Sequence, residues 1–108
     1  MSDIKLIQPL LLCLDESQAS DIVTLDVSEQ TSVTDFMVIA TGRSGRHTKA
    51  IAMQAMEKMK ALGMPAISSH GFEQGDWILV DFNNYILHVM TADSRAFYHI
   101  EGLWQQQG

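Results

Sequence analysis

Two runs, Asp76-Trp-Ile-Leu-Val-Asp-Phe82 and Tyr85-Ile-Leu-His-Val-Met-Thr91, flank the dipeptide Asn83-Asn84, and nothing else in the chain restricts its folding as tightly. Asparagine tolerates positive φ, so two of them between β-type runs predict a hairpin with a two-residue turn. Such a turn fixes the register. Phe82 then faces Tyr85, Val80 faces Leu87 and Ile78 faces Val89, an unbroken apolar set that has to be the core side. The opposite face is mixed, with Trp77 against Met90, Leu79 against His88 and Asp81 against Ile86.

The remaining segments supply the layers around this hairpin. Ile4 to Glu16 reads as an apolar helix, with Pro9 either near its first turn or kinking it. From Asp21 to Val27, Val23, Leu25 and Val27 alternate with Ile22, Thr24 and Asp26, the period of a half-buried strand. Ser28 to Thr34 is turn chemistry. Phe36 to Ala40 is apolar on both faces, which predicts a strand inside the sheet with helices over both sides. Ser44 can cap a helix that runs to about Leu62 on a stripe of Thr48, Ile51, Ala52, Ala55, Met59 and Leu62. Gly63 suits its left-handed closure and Pro65 bars continuation. Ala66 to Ser69 can form a short strand, making residues 36 to 69 a parallel, right-handed crossover. Ser94 to about Tyr98, then Ile100 to Trp104, read as short helical turns. The class is α/β, and with no repeat or Pro/Gly/Ser linker in 108 residues the expectation is a single domain over 1–108.

Composition narrows the function. Hydrophobic residues at 46% against 19% charged exclude disorder as the main state. The longest apolar stretch, Leu10 to Leu14, is far short of the roughly 20 residues a membrane helix needs, and no basic-then-apolar signal is visible at the N-terminus. The single cysteine, Cys13, sits in an apolar run as a buried structural thiol would, so the chain is expected to be cytoplasmic. A net charge of −6 disfavours nonspecific binding to phosphate backbones and suits a basic partner. The charge is also sided. Arg43, Arg46, Lys49, Lys58 and Lys60 face only Glu57 between Thr41 and Lys60, whereas Glu73, Asp76, Asp81, Asp93 and Glu101 face only Arg95 from Gly71 onward.

Catalytic signals are weak. Arg46-His47 behind Ser44 could mark a phosphate site at a helix N-terminus. Only Gly42 and Gly45 serve that turn, however, and neither GxxxxGK[ST] nor GxGxxG is present, so His47 is expected to bond a nearby carbonyl or carboxylate. His47, His70, His88 and His99 show no HxxxH or HExxH spacing, which argues against a zinc site. Asp76 and Asp81, five apart, point to opposite sides of one strand and cannot share Mg²⁺ as the paired carboxylates of a two-metal nucleotidyltransferase do. No GxSxG elbow supplies a nucleophile. No catalytic residue, metal or cofactor is therefore assigned. The hairpin's mixed face keeps two readings. It is either a layer covered by the chain's own first or last helix, or a binding surface anchored by Trp77 and rimmed by carboxylates.

The segments Ser32-Val-Thr-Asp-Phe-Met-Val-Ile-Ala-Thr-Gly-Arg-Ser-Gly-Arg-His47, Asp76-Trp77, Val80-Asp81, His88-Val89 and Arg95-x-x-Tyr98-x-x-Glu101-x-Leu103-Trp104 together resemble the Iojap-like ribosomal silencing factors, in order and spacing over nearly the whole chain. The resemblance implies a mixed β-sheet flanked by helices, a nucleotidyltransferase-like fold without catalytic carboxylates. It also implies binding to the large ribosomal subunit through the basic ribosomal protein uL14. That binding blocks joining of the small subunit, sterically and without catalysis, and lowers translation when nutrients are scarce. Carried onto this chain, the docking surface comprises Trp77, Leu79, Asp81, His88, Tyr98, Glu101 and Leu103. Trp77, Leu79 and Leu103 supply apolar burial, Tyr98 an amphipathic contact, and Asp81 and Glu101 complementarity to Lys or Arg. Homodimers are a further implication, although no heptad seam in the sequence derives one. Two positions depart from the family pattern, His70 before Gly71 where an acid is common and Asn83-Asn84 in place of Gly-Asp. The rival reading is a small nucleotide-dependent transferase using the Thr41–His47 turn.

Overall fold

The structure, a computed structural model, describes residues 2–29 and 34–99. Along the chain run α1 (Ser2–Glu16), β1 (Ser20–Asp26), β2 (Phe36–Gly42), α2 (Gly45–Ala61), β3 (Ser68–His70), β4 (Trp77–Asp81), β5 (Tyr85–Thr91) and α3 (Ala92–Tyr98). The hairpin register is the one the turn predicts: Trp77 pairs with Met90, Ile78 with Val89, Leu79 with His88, Val80 with Leu87 and Asp81 with Ile86. Asn83 adopts φ +82°. The Asp81 carboxylate accepts its N–H at 2.7 Å, while the Phe82 N–H closes onto the Tyr85 carbonyl at 3.0 Å.

These strands belong to a mixed sheet of order β1-β2-β5-β4-β3. β2 lies in its interior, parallel to β5 and antiparallel to β1, as a strand apolar on both faces has to. The crossover through α2 is wider than a simple strand-helix-strand unit. β3 is antiparallel to β4, and β4 to β5, so β3 runs parallel to β2, but the hairpin stands between them. β5, later in the sequence, takes the place beside β2, and the three-residue β3 is left at the edge.

Ser44, extended at φ −158°, caps α2 by accepting the His47 N–H. Thr48, Ile51, Ala52, Ala55 and Met59 are buried in the order their spacing predicts. Leu62 departs from that stripe: the helix ends at Ala61, and Leu62 is the exposed C-cap residue. Gly63 follows at φ +86°, a conformation cheap only for glycine. α1 begins at Ser2, so Pro9 falls within the helix and removes one backbone rung. It packs against α2.

Ile7, Leu10 and Leu14 of α1 and the α2 stripe bury the hairpin's apolar face together with Phe36, Val38 and Ala40 of β2. Each large side chain removed from water there contributes roughly 1.5–3 kcal/mol. Cys13 lies buried as a free thiol, its pKa pushed up by burial. The expectation of helices over both faces is met unevenly. α1 and α2 share the core face, and among the described residues the seven-residue α3 is the helix that reaches the other. Among the described residues no helix is long and apolar enough to cross a membrane.

Candidate functional site

Strand pairing assembles the second face row by row. Val23, Ile39, His88, Leu79 and His70 cross the sheet in one row, and Leu25, Met37, Ile86, Asp81 and Ser68 in the next. Ile39 and Met90 are fully buried, with Leu25 and Trp77 packed against them. Leu79, Met37 and Ile86 are half-buried. An apolar layer thus continues across four strands with α3 at one end.

α3 is held there by its own polar chemistry. Thr91 caps its first turn, accepting the Ser94 N–H at 3.4 Å. The Arg95 guanidinium donates to the Thr41 hydroxyl at 2.8 Å and to the Asp21 carbonyl, tying the helix to β1 and β2. This seats Tyr98 against Trp77, their ring centroids 4.8 Å apart and the planes tilted by 46°. Phe97 meets Tyr98 edge-on at 5.0 Å and is 81% exposed. On its other side the Trp77 indole N–H donates to His88 Nδ1 at 3.0 Å.

His88 itself is only 3% exposed, and desolvation pushes its pKa down to about 4. It is neutral at pH 7 and carries one ring proton. Because Nδ1 accepts from Trp77, that proton sits on Nε2. This N–H is buried without an acceptor among the described residues, an arrangement that costs about 1–3 kcal/mol.

Of the residues the sequence nominated, the structure brings Trp77, Leu79, Asp81, His88 and Tyr98 to one face. Trp77, Leu79 and Asp81 are half-buried, and Tyr98 is exposed. His88 lies beneath the surface, reached through Trp77. Glu101 and Leu103 lie outside the described residues. Sequence reasoning did not nominate four members of the layer as docking residues. Ile86 was legible from the hairpin register, opposite Asp81. Leu25 and Met37 join only through the β1-β2-β5 pairing, which no local pattern encodes. Phe97, beside Tyr98, gave no signal beyond its size.

The Thr41–His47 turn is occupied with holding the fold. His47 Nδ1 accepts the Arg43 N–H at 2.9 Å, and Nε2 lies 2.9 Å from the Ser17 carbonyl, linking the turn to the end of α1. The Thr48 hydroxyl donates to the Gly75 carbonyl. Among the described residues no cluster of His, Cys, Asp and Glu is placed to hold a metal ion.

Fold and face together define a small α/β protein whose sheet, among the described residues, packs two helices on one side and carries an aromatic and aliphatic layer on the other. The family described as "Ribosomal silencing factor during starvation" matches residues 1–108, and the chain belongs to this RsfS family. A ribosomal silencing factor RsfS from Chromobacterium violaceum is 40% identical over 94 residues, covering 87% of this chain and 77% of the relative. A crystal structure of a C. violaceum protein superposes with a TM-score of 0.93 at 36% identity, over 100% of this chain and 90% of that one. A mouse protein named for mitochondrial assembly of the ribosomal large subunit is 31% identical over 101 residues, 91% of this chain and 44% of its own length.

Proposed function

We propose that this chain, acting as one domain in the cytoplasm, silences ribosomes by docking on the large subunit through the basic ribosomal protein uL14. Bound there it blocks the small subunit sterically, with no reaction catalysed. The carrying observation is the second sheet face. Trp77, Leu79 and Asp81 share this face, each half-buried, with Tyr98 against Trp77 and Phe97 against Tyr98. An apolar centre with an acidic rim fits a basic, partly apolar protein surface. Glu101 and Leu103, which lie outside the described residues, are proposed as further contacts on the family resemblance alone. The family supports the target, since its members are named as ribosomal silencing factors.

The test is co-sedimentation of purified protein with large subunits in a sucrose gradient, followed by addition of small subunits. Binding together with a reduced yield of joined ribosomes is the expected result. A protein that stays at the top of the gradient, or one that binds without affecting joining, overturns the reading.

A further inference from the structure

We infer that His88 is a positioning residue: it takes up the Trp77 indole N–H inside the sheet, so that Trp77 meets a protein partner as a fixed anchor with no polar group left to satisfy. This rests on the docking reading above and assigns a division of labour within that face.

An indole carries a single polar atom, a donor. Left free, it has to find water or an acceptor on the partner, and the ring turns to follow it. Here His88 Nδ1 accepts it at 3.0 Å, and Tyr98 packs against the indole at 4.8 Å. The ring is therefore held between a hydrogen bond from β5 and a contact from α3. Anchors contribute most to affinity when they are ordered before binding, because little freedom then remains to be lost.

The fold alone gives no reason for a histidine at this position. Ile39 and Leu79 flank His88 in its row across the sheet, with Ile86 and Met90 two residues away on β5. Its Nε2–H is buried with no acceptor among the described residues. Removing that N–H relieves its desolvation cost, to be set against leaving the half-buried indole N–H without its acceptor. A leucine there would serve the core better and the indole worse. Keeping an Nε2–H that has no acceptor among the described residues is explained by what the other ring nitrogen does.

Two variants separate positioning from packing and from direct contact. His88→Leu removes the acceptor, while His88→Asn restores one, with Oδ1 at the same bond distance from the backbone as Nδ1. In the free proteins the Trp77 indole N–H is followed by NMR exchange with water, its signal assigned with Trp77→Phe. Large-subunit affinity and melting are measured in parallel. His88→Leu is expected to speed indole exchange and weaken binding about tenfold or more, while its Tm at pH 7.5 stays within a few degrees of wild type or rises. His88→Asn is expected to return both exchange and affinity most of the way to wild type.

Wild-type affinity in His88→Leu overturns the inference. So does a His88→Asn protein with a protected indole that binds as poorly as His88→Leu, since the imidazole would then be a contact in its own right. A His88→Leu protein that melts far below wild type makes the histidine a core residue and overturns it equally. Wild-type protein that fails to bind large subunits instead sinks the docking reading, a result visible before any variant is compared.

Discussion

Acid should destabilise this protein through one buried imidazole. In the unfolded chain His88 titrates near 6.5, whereas in the folded protein burial holds it to about 4. Between those values the unfolded chain binds more protons, so stability rises with pH across that interval and is lost as pH falls through it. The contribution is fully present above pH 6.5. Traversing the whole interval removes about 3 kcal/mol, and by pH 5 about 2 kcal/mol is already gone. That is a sizeable share of the roughly 5–15 kcal/mol available to a domain. The measurement is urea unfolding of wild type and His88→Leu at several pH values from 7.5 to 5. Groups common to both proteins cancel in the difference. Wild type is expected to lose about 2 kcal/mol more than the variant over this range. Parallel pH profiles would refute the argument, and a wild type that gains on the variant as pH falls would mean that the folded protein favours the imidazolium.

Three further outcomes are expected. Ile78→Ala empties a fully buried site and should cost about 2–5 kcal/mol in urea unfolding without a specific effect on binding; Trp77→Ala, from a half-buried ring, should cost less stability while weakening large-subunit binding about thirtyfold or more. Asp81→Lys should slow association at low salt, with Asp81→Asn as the control that keeps an acceptor for the Asn83 N–H; unchanged association rates for a folded Asp81→Lys protein would remove the acidic rim. Calorimetry with ATP, CTP and Mg²⁺ should show no binding, and micromolar affinity dependent on Ser44 and Arg46 would revive the transferase reading.

What the sequence made legible follows the range of the interactions involved. The β4–β5 register came from a two-residue turn, the α2 cap from Ser44 and its closure from Gly63, all local chemistry. The sheet order did not follow from such signals, because the β2–β5 parallel pair joins residues about 50 apart in sequence and nothing in either strand names the other. That gap decided how much of the site could be seen. The hairpin half of the layer, Trp77, Leu79, Asp81 and His88, was visible, whereas Leu25 and Met37 appear only once β1 and β2 are laid beside it. The two readings of the mixed face also depended on tertiary structure. α1 could have covered this face, but its Ile7, Leu10 and Leu14 pack with α2 on the opposite side.

The placement of charge bears on how a basic partner would meet the two sides of the molecule. The basic run lies on or just before α2, with Arg43, Arg46, Lys58 and Lys60 exposed, and α2 packs on the core face of the sheet. Asp81 belongs to the second face, and Asp93 sits in the first turn of α3 at its end. Even the shortest extent of the molecule is 22 Å, more than twice the ~8 Å over which charges act at physiological ionic strength. A basic partner approaching the second face therefore meets the nearby carboxylates while the cations on α2 are screened. Net charge alone would have allowed either approach. The fold puts the Asp81 carboxylate on the side where Trp77 and Leu79 have apolar surface left to bury, so that a basic partner meets both together.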